Sequence, residues 1–318
     1  MTEHAVGRVV RGDAKSYLVA LGGETRSFAP RGKLFEAKDQ GDKNPVVVGD
    51  LVRVSLDGDP PGVEEVLPRK NYLPRVASSH DPRQQILFAN VDQLFLVGSV
   101  AKPKFSSNRA DRILAACRYY EIPALLILNK IDLGGEQTAD IQGTYERAGV
   151  PVLLLCASDG RGVAELSARL RGKVSAFYGG SGAGKSTLLN ALEPALALKT
   201  SKISKYWDQG KHTTTHSQLL HLAAHEAWVI DTPGIRVFRL AGINRAELRD
   251  CFPEFAPFAA RCQFAPVCTH DHEPGCAVFA AVEADKLAPT RYASYLEILD
   301  ELVPPPEDDT PVEPPEGR

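Results

Sequence analysis

The chain has 318 residues, 43% hydrophobic and 24% charged, with a formal net charge of -3. That length suits two or three domains of roughly 100–200 residues each. No apolar run approaches the ~20 residues of a membrane span and the start MTEHAVGRVV lacks a signal-peptide core, so a soluble, cytoplasmic protein without a membrane partner is expected; a monomer is expected as well. The charge is uneven. Residues 307–318 carry five acids and one arginine, whereas residues 161–221 carry nine Lys/Arg against three Asp/Glu. A basic stretch of that kind suits an anionic ligand, nucleotide or RNA, as well as a solvated face.

Residues 5–73 read as short strands punctuated by glycine: GRVVRG, SYLVALGG, VVVGDLVRVSLDG and GVEEVLP. Turn residues at roughly ten-residue spacing predict a small five-stranded barrel of the OB-fold kind. Such a barrel serves oligonucleotide binding or a protein contact. Arg69 to Arg75 reads as a basic linker leaving it.

From Val91 the pattern becomes α/β. VDQLFLVGS is a buried strand, Asn108 to Tyr120 has helical spacing, and ALLILNK is a second strand. It runs into Asn129-Lys130-Ile131-Asp132, the NKID pattern of guanine recognition. Asp132 can accept from guanine N1–H and N2–H₂. Adenine offers neither, and leaving a charged acceptor unpaired costs roughly 1.5–3 kcal/mol. Asn129 ties the loop to its neighbours, and the Lys130 stem covers the base. After the next strand, VPVLLLCAS, the segment Cys156-Ala157-Ser158 falls where a second base loop belongs, with a backbone N–H for guanine O6. Its usual form has serine where Cys156 stands.

A helix over Gly162 to Leu170 and the strand VSAFYGG lead into Gly179-Gly180-Ser181-Gly182-Ala183-Gly184-Lys185-Ser186-Thr187. This is a phosphate loop. Its glycines let backbone N–H groups curl around the β-phosphate, Lys185 meets the β/γ oxygens, and the Ser186 hydroxyl suits magnesium. The helix that follows covers Ser186 to Leu192, and SQLLHLA and AWVIDTPG form a hairpin. Asp231 at its end holds magnesium through water, and the Gly234 N–H reaches the γ-phosphate. Many GTPases carry glutamine after that glycine; here Ile235 stands there. The polar stretch Gly210-Lys211-His212-Thr213-Thr214-Thr215-His216 is the nearest candidate to supply the missing group. His212 is the candidate catalytic residue, and a threonine, taken as Thr214, closes over magnesium. A phosphate loop normally precedes NKID in a GTPase; here it follows. Joining the close-lying termini of such a domain and cutting elsewhere preserves its contacts.

Cys262, Cys268, His270 and Cys276 supply three thiolates and one imidazole within 15 residues, a closed tetrahedral set for one structural zinc. Cys251, in the apolar CFPEF segment, and Cys117, on a helix, read as core. The ending VPPPEDDTPVEPPEGR is Pro-rich and acidic and reads as a disordered tail.

Taken together, the barrel with Val48-Gly49-Asp50, NKID, GGSGAGKST, GKHTTTH, DTPG, FPEF and the Cys/His cluster resemble one family. It is the circularly permuted GTPases of small-ribosomal-subunit biogenesis, the RsgA (YjeQ) type. The resemblance runs from about Gly7 to Leu302. It implies a barrel that contacts ribosomal RNA, a GTPase core using Mg²⁺ with GTP, and a zinc domain touching the small (30S) subunit. It also implies GTP hydrolysis stimulated by the subunit late in maturation, with release on hydrolysis. Cys156, Lys211 in place of a common arginine, and a weakly charged barrel depart from the pattern. The expected architecture is multidomain: an OB-fold barrel (1–75), a circularly permuted α/β P-loop GTPase domain (76–238), a mostly helical zinc-binding domain (239–302) and the tail (303–318). Two other functions fit parts of the chain: a P-loop kinase or ATPase, which Asp132 opposes, and a GTP-dependent RNA-binding scaffold with negligible turnover.

Overall fold

In the amino-terminal barrel one strand serves two neighbours. β1 (His4–Gly12) pairs with β4 (Leu51–Ser55) through its first half and with β2 (Tyr17–Leu21) through its second. A bulge between Val9 and Arg11 re-aims it there. β2 pairs with β3 (Glu24–Pro30), β3 runs parallel to β5 (Gly62–Val66), and β5 returns to β4. The circuit 1-2-3-5-4-1 closes the predicted five-stranded barrel around Val9, Val19, Phe28, Val52, Val54 and Val63. This computed structural model describes residues 3–13, 15–31, 44–57, 60–78, 81–198, 217–232, 238–271 and 273–302.

Arg69 to Arg75 is not a linker. Arg69 folds back on the barrel, its Nε and Nη2 donating to Asp50 Oδ1 and Oδ2 at 2.7 and 2.9 Å. Asp50 is fully buried and also accepts from Val47 N at 2.8 Å. This paired geometry satisfies a carboxylate that would otherwise be costly to bury. The preceding Gly49 has φ +93°, and a Cβ there would lie 2.1 Å from Ala89 O, so VGD is a glycine-dependent joint. The chain continues as β6 (Tyr72–Ser78), paired antiparallel with β7 (Asp81–Ala89). This hairpin spans the expected boundary at 75/76.

The central sheet has the strand order Val152–Leu155, Ala124–Asn129, Gln93–Ser99, Val174–Tyr178, Ala227–Asp231, Gln218–Leu222. β8 (Gln93–Ser99), β9 (Ala124–Asn129), β10 (Val152–Leu155), β11 (Val174–Tyr178) and β13 (Ala227–Asp231) run parallel; β12 (Gln218–Leu222) is antiparallel to β13. One residue pair, Arg11↔Gln218, joins this sheet to the barrel. The parallel strands read as continuous apolar runs because both faces are covered. One face packs against α3 (Val163–Leu170) and α4 (Lys185–Leu192), the other against α1 (Ser107–Tyr119) and α2 (Glu136–Arg147).

The carboxy-terminal part contains short helices, among them α5 (Arg245–Leu248) and α6 (Ala256–Ala259), then α7 (Ala277–Glu283) and α8 (Pro289–Glu301). Asn244 opens α5 with a reciprocal capping box to Glu247. The apolar cluster of this part is continuous with that of the α1 face: Ile113 and Leu114 belong to the same core as Phe252, Phe255 and Tyr295. Among the described residues no helix is long and apolar enough to cross a membrane.

Candidate nucleotide site and cysteine–histidine cluster

Three loops meet at the carboxyl ends of the parallel strands. The phosphate loop turns from β11 into α4, with Gly182 and Gly184 at φ +80° and +99°. A Cβ at Gly184 would lie 2.2 Å from Asn129 Nδ2, so that glycine allows the NKID loop to approach. Asn129 is buried and bridges all three loops. Its Nδ2 donates to Ala183 O at 2.9 Å, while its Oδ1 accepts from Lys130 N at 2.8 Å and Ala157 N at 3.2 Å. Lys130 adds a second tie, donating from Nζ to Gly182 O at 2.7 Å and to Lys102 O.

Asp132 is exposed in a short turn after β9, and its Oδ1 accepts from the Cys156 thiol at 3.2 Å. Sequence reasoning saw Cys156 as a departure but missed this contact, which pairs residues 24 apart. The Cys156 N–H, by contrast, donates to Arg161 O at 3.0 Å. Of the two amides, that of Ala157 is the one bonded to Asn129.

At the phosphate end Lys185 is buried, its Nζ donating to Gly179 O at 2.6 Å. Burial lowers its pKa, and Asp231 partly offsets this. Burial conversely raises the Asp231 carboxyl, with Lys185 opposing. Asp231 Oδ1 is buried without a hydrogen-bond partner, a hard oxygen donor of the kind Mg²⁺ takes. β11 and β13 are neighbours in register, Phe177 opposite Asp231, which sets Asp231 beside the strand that feeds the Ser186 helix. That Asp231 oxygen fits Mg²⁺. Ser181, on the loop, and Thr187, in the first turn of α4, are exposed. His212, Thr214, Gly234 and Ile235 lie outside the described residues.

The four metal-ligand candidates also converge. The ligating atoms of Cys262, Cys268, His270 and Cys276 lie within 4.8 Å of one another, and all four residues are buried. Cys262 Sγ is 4.0 Å from Cys276 Sγ, and His270 Nδ1 is 3.6 Å from both. A tetrahedron with Zn–S bonds of about 2.3 Å has edges of about 3.8 Å. Burial, with Cys276 alongside, pushes the Cys268 thiol up to about 12. A divalent cation reverses that penalty by taking the thiolate. Backbone amides already point at sulfur: Ala277 N at Cys262 Sγ, 3.3 Å, and Phe279 N at Cys276 Sγ, 3.4 Å. The loop is braced by Tyr292 O–H donating to His270 O at 2.8 Å and by Thr269 O–H donating to Glu273 at 2.7 Å. Although burial opposes it, such bonds hold the Glu273 carboxyl at about 2. Cys117 and Cys251 are buried outside this cluster.

The profile of the RsgA GTPase family matches residues 66–241. The chain belongs to the RsgA GTPase family. Small ribosomal subunit biogenesis GTPase RsgA from Bordetella pertussis is 41% identical over 305 residues, covering 94% of this chain and 97% of the relative. The protein of that name from Flavobacterium johnsoniae is 40% identical over 274 residues, 84% of each chain. Among solved structures, YjeQ from Thermotoga maritima superimposes with a TM-score of 0.73 at 31% identity, covering 94% of this chain and 99% of its own. YloQ, described as a circularly permuted GTPase, gives 0.66 at 28% identity over 94% and 95%. These full-length RsgA-type matches bear out the barrel, the permuted core and the helical carboxy-terminal part as one architecture.

Proposed function

We propose that this GTPase acts in late maturation of the small ribosomal subunit, binding its RNA and leaving when subunit-stimulated GTP hydrolysis occurs. The observation that carries the nucleotide reading is the Asn129 bridge, which brings NKID, the phosphate loop and the Cys156–Ala157 loop together despite their permuted order. The subunit assignment comes from the relatives, named for small-subunit biogenesis.

In this reading Asp132 pairs with guanine N1–H and N2–H₂, held by the Cys156 thiol. The Ala157 N–H serves guanine O6 while shared with Asn129 Oδ1. Gly179 to Gly184 wrap the phosphates, with Lys185 turning from the Gly179 carbonyl to the β/γ oxygens. Ser186, Asp231 and Thr214 would hold Mg²⁺, which would supply charge neutralisation at the phosphate oxygens. Gly234 meets the γ-phosphate, and His212 or its loop positions the attacking water. Zinc closes the Cys262, Cys268, His270, Cys276 set as a structural ion. The barrel contributes RNA contacts, and the protein works as a cytoplasmic monomer.

Purified small subunits titrated into a GTP-turnover assay test the proposal. Turnover should rise saturably with small subunits and remain flat with large subunits. A rate indifferent to small subunits would remove the ribosomal assignment and leave a bare GTPase.

Base recognition has its own test. Asp132→Asn should weaken GTP and favour xanthosine triphosphate, because an amide can donate to the carbonyl that replaces N2–H₂. The loss for GTP is about 1.5–3 kcal/mol, ten- to a hundredfold in affinity. Unchanged GTP affinity would mean that NKID does not hold the base.

A further inference from the structure

Among the described residues the most heavily buried ion pair lies away from the nucleotide, where α8 meets α1. Arg291 and Asp111 are 3% and 0% exposed, and Arg291 Nη1 donates to Asp111 Oδ1 at 2.6 Å. Arg291 Nε donates to Glu254 of FPEF at 2.7 Å, and its guanidinium lies over the Phe252 and Tyr145 rings. Tyr145 O–H, from α2, donates to the same Asp111 Oδ1 at 2.8 Å. One carboxylate oxygen thus joins the carboxy-terminal helix to two helices of the GTPase core. None of these residues touches the nucleotide loops, so the nucleotide site does not account for them.

Contacts lead onward from Tyr145. Its ring stands edge-on to Phe105 at 5.6 Å between centroids. Phe105 packs on β8 where Gly98 leaves room; a Cβ on Gly98 would sit 2.7 Å from the ring. Phe105 ends the segment whose Lys102 carbonyl accepts from Lys130 of NKID. Pro103 of the same segment lies 3.4 Å from where a Cβ on Gly182 would stand. The path from the Cys–His region to both nucleotide loops is therefore continuous. A buried ion pair opened by a small displacement leaves an uncompensated charge, so the seat of α8 on α1 is sensitive to small displacements.

We propose that Arg291, Asp111 and Tyr145 are positioning residues that couple engagement of the carboxy-terminal Cys–His region to the nucleotide pocket. This rests on the reading of the protein as a subunit-stimulated GTPase. Load on the Cys–His region shifts α8 against α1; Asp111 passes the shift to Tyr145 and Phe105, and residues 102–103 change how Lys130 and Gly182 sit. The coupling is reciprocal, as any linkage between two binding sites must be.

Tyr145→Phe tests it, deleting the hydroxyl while keeping the ring against Phe105. Basal turnover and affinity for the small subunit should match wild type and the thermal midpoint should fall modestly, because a buried carboxylate loses a donor, while the stimulated kcat falls about fivefold or more, the lower range of site-to-site couplings. Arg291→Lys, which keeps charge but loses the two-pronged geometry, should act in the same direction. An unchanged ratio of stimulated to basal turnover in both variants overturns the proposal. So does an equal fall in basal and stimulated rates, which would mark a merely structural pair. If wild type itself is not stimulated, the ribosomal reading fails separately, and hydrogen exchange decides the coupling. A non-hydrolysable GTP analogue should then protect amides of 289–301 in wild type and less so in Tyr145→Phe. No protection in wild type overturns the coupling as well.

Discussion

Lys185→Ala should abolish tight GTP binding while leaving the protein folded. The Nζ of Lys185 is buried against Gly179 O at 2.6 Å, poised over the loop that wraps the phosphates. Charge-assisted hydrogen bonds contribute about 1.5–3 kcal/mol each. Losing one contact to each of the β and γ groups thus amounts to at least about 3 kcal/mol, on the order of a hundredfold in affinity. Stability should not suffer, because burial already disfavours this cation, as its lowered pKa shows. Alanine is also the better helix former at the start of α4. Fluorescent-nucleotide titration beside a thermal melt reads both effects. GTP affinity within a few fold of wild type would overturn the assignment of this loop to the phosphates. His212→Ala forms the contrast: it should spare binding and lower stimulated turnover by about 10²–10⁴-fold if it orients water alone. Normal stimulated turnover in that variant would move the missing group to the ribosome.

What could be read in the chain was what is encoded locally. NKID, the phosphate loop and DTPG are contiguous runs whose chemistry fixes their residue types, and their described parts stand at the ends of strands; the Cys/His set lies within 15 residues of loop and helix start. β3 was not legible as a strand. Glu24, Thr25, Arg26 and Ser27 are all exposed, so the strand shows no alternation and is held by its ladder to β2. The β6–β7 hairpin was concealed by Arg69, Lys70 and Pro74, which read as a basic linker. Proline is tolerated there because the ladder shifts register between Leu73 and Pro74. Least visible was the Asp111–Arg291 pair, 180 residues apart. Each lies in a helix whose sequence places charge where a solvated face would be expected, and only tertiary packing buries them. The same packing makes the core of the carboxy-terminal part continuous with α1, where sequence alone suggested a separate small domain.

That continuity limits how far loss of metal should spread. Chelation, or Cys268→Ser, should release one zinc per chain and unfold the 262–276 loop while GTP binding persists. The four ligating residues are buried, and without a cation three thiols and an imidazole remain packed at 4.8 Å or less with little to satisfy them. Zinc binding in zinc-finger peptides is worth about 10–16 kcal/mol, more than the whole stability of most domains, so this loop should not keep its shape without it. Two anchors stop the unfolding. α8 stays fixed to α1 by Arg291–Asp111 and by Arg112 with Glu301, and Phe252 and Phe255 stay in the shared core. None of these depends on metal, and the Asn129 bridge lies on the GTPase side of them. Hydrogen exchange should therefore rise sharply over 262–276, modestly in α7 (whose first turn is capped by the Cys276 sulfur), and little in the phosphate loop. On the proposed coupling, subunit-stimulated turnover should fall with it. Freshly purified protein found free of zinc would remove the structural-ion assignment, and collapse of GTP binding on chelation would show that the anchors do not hold.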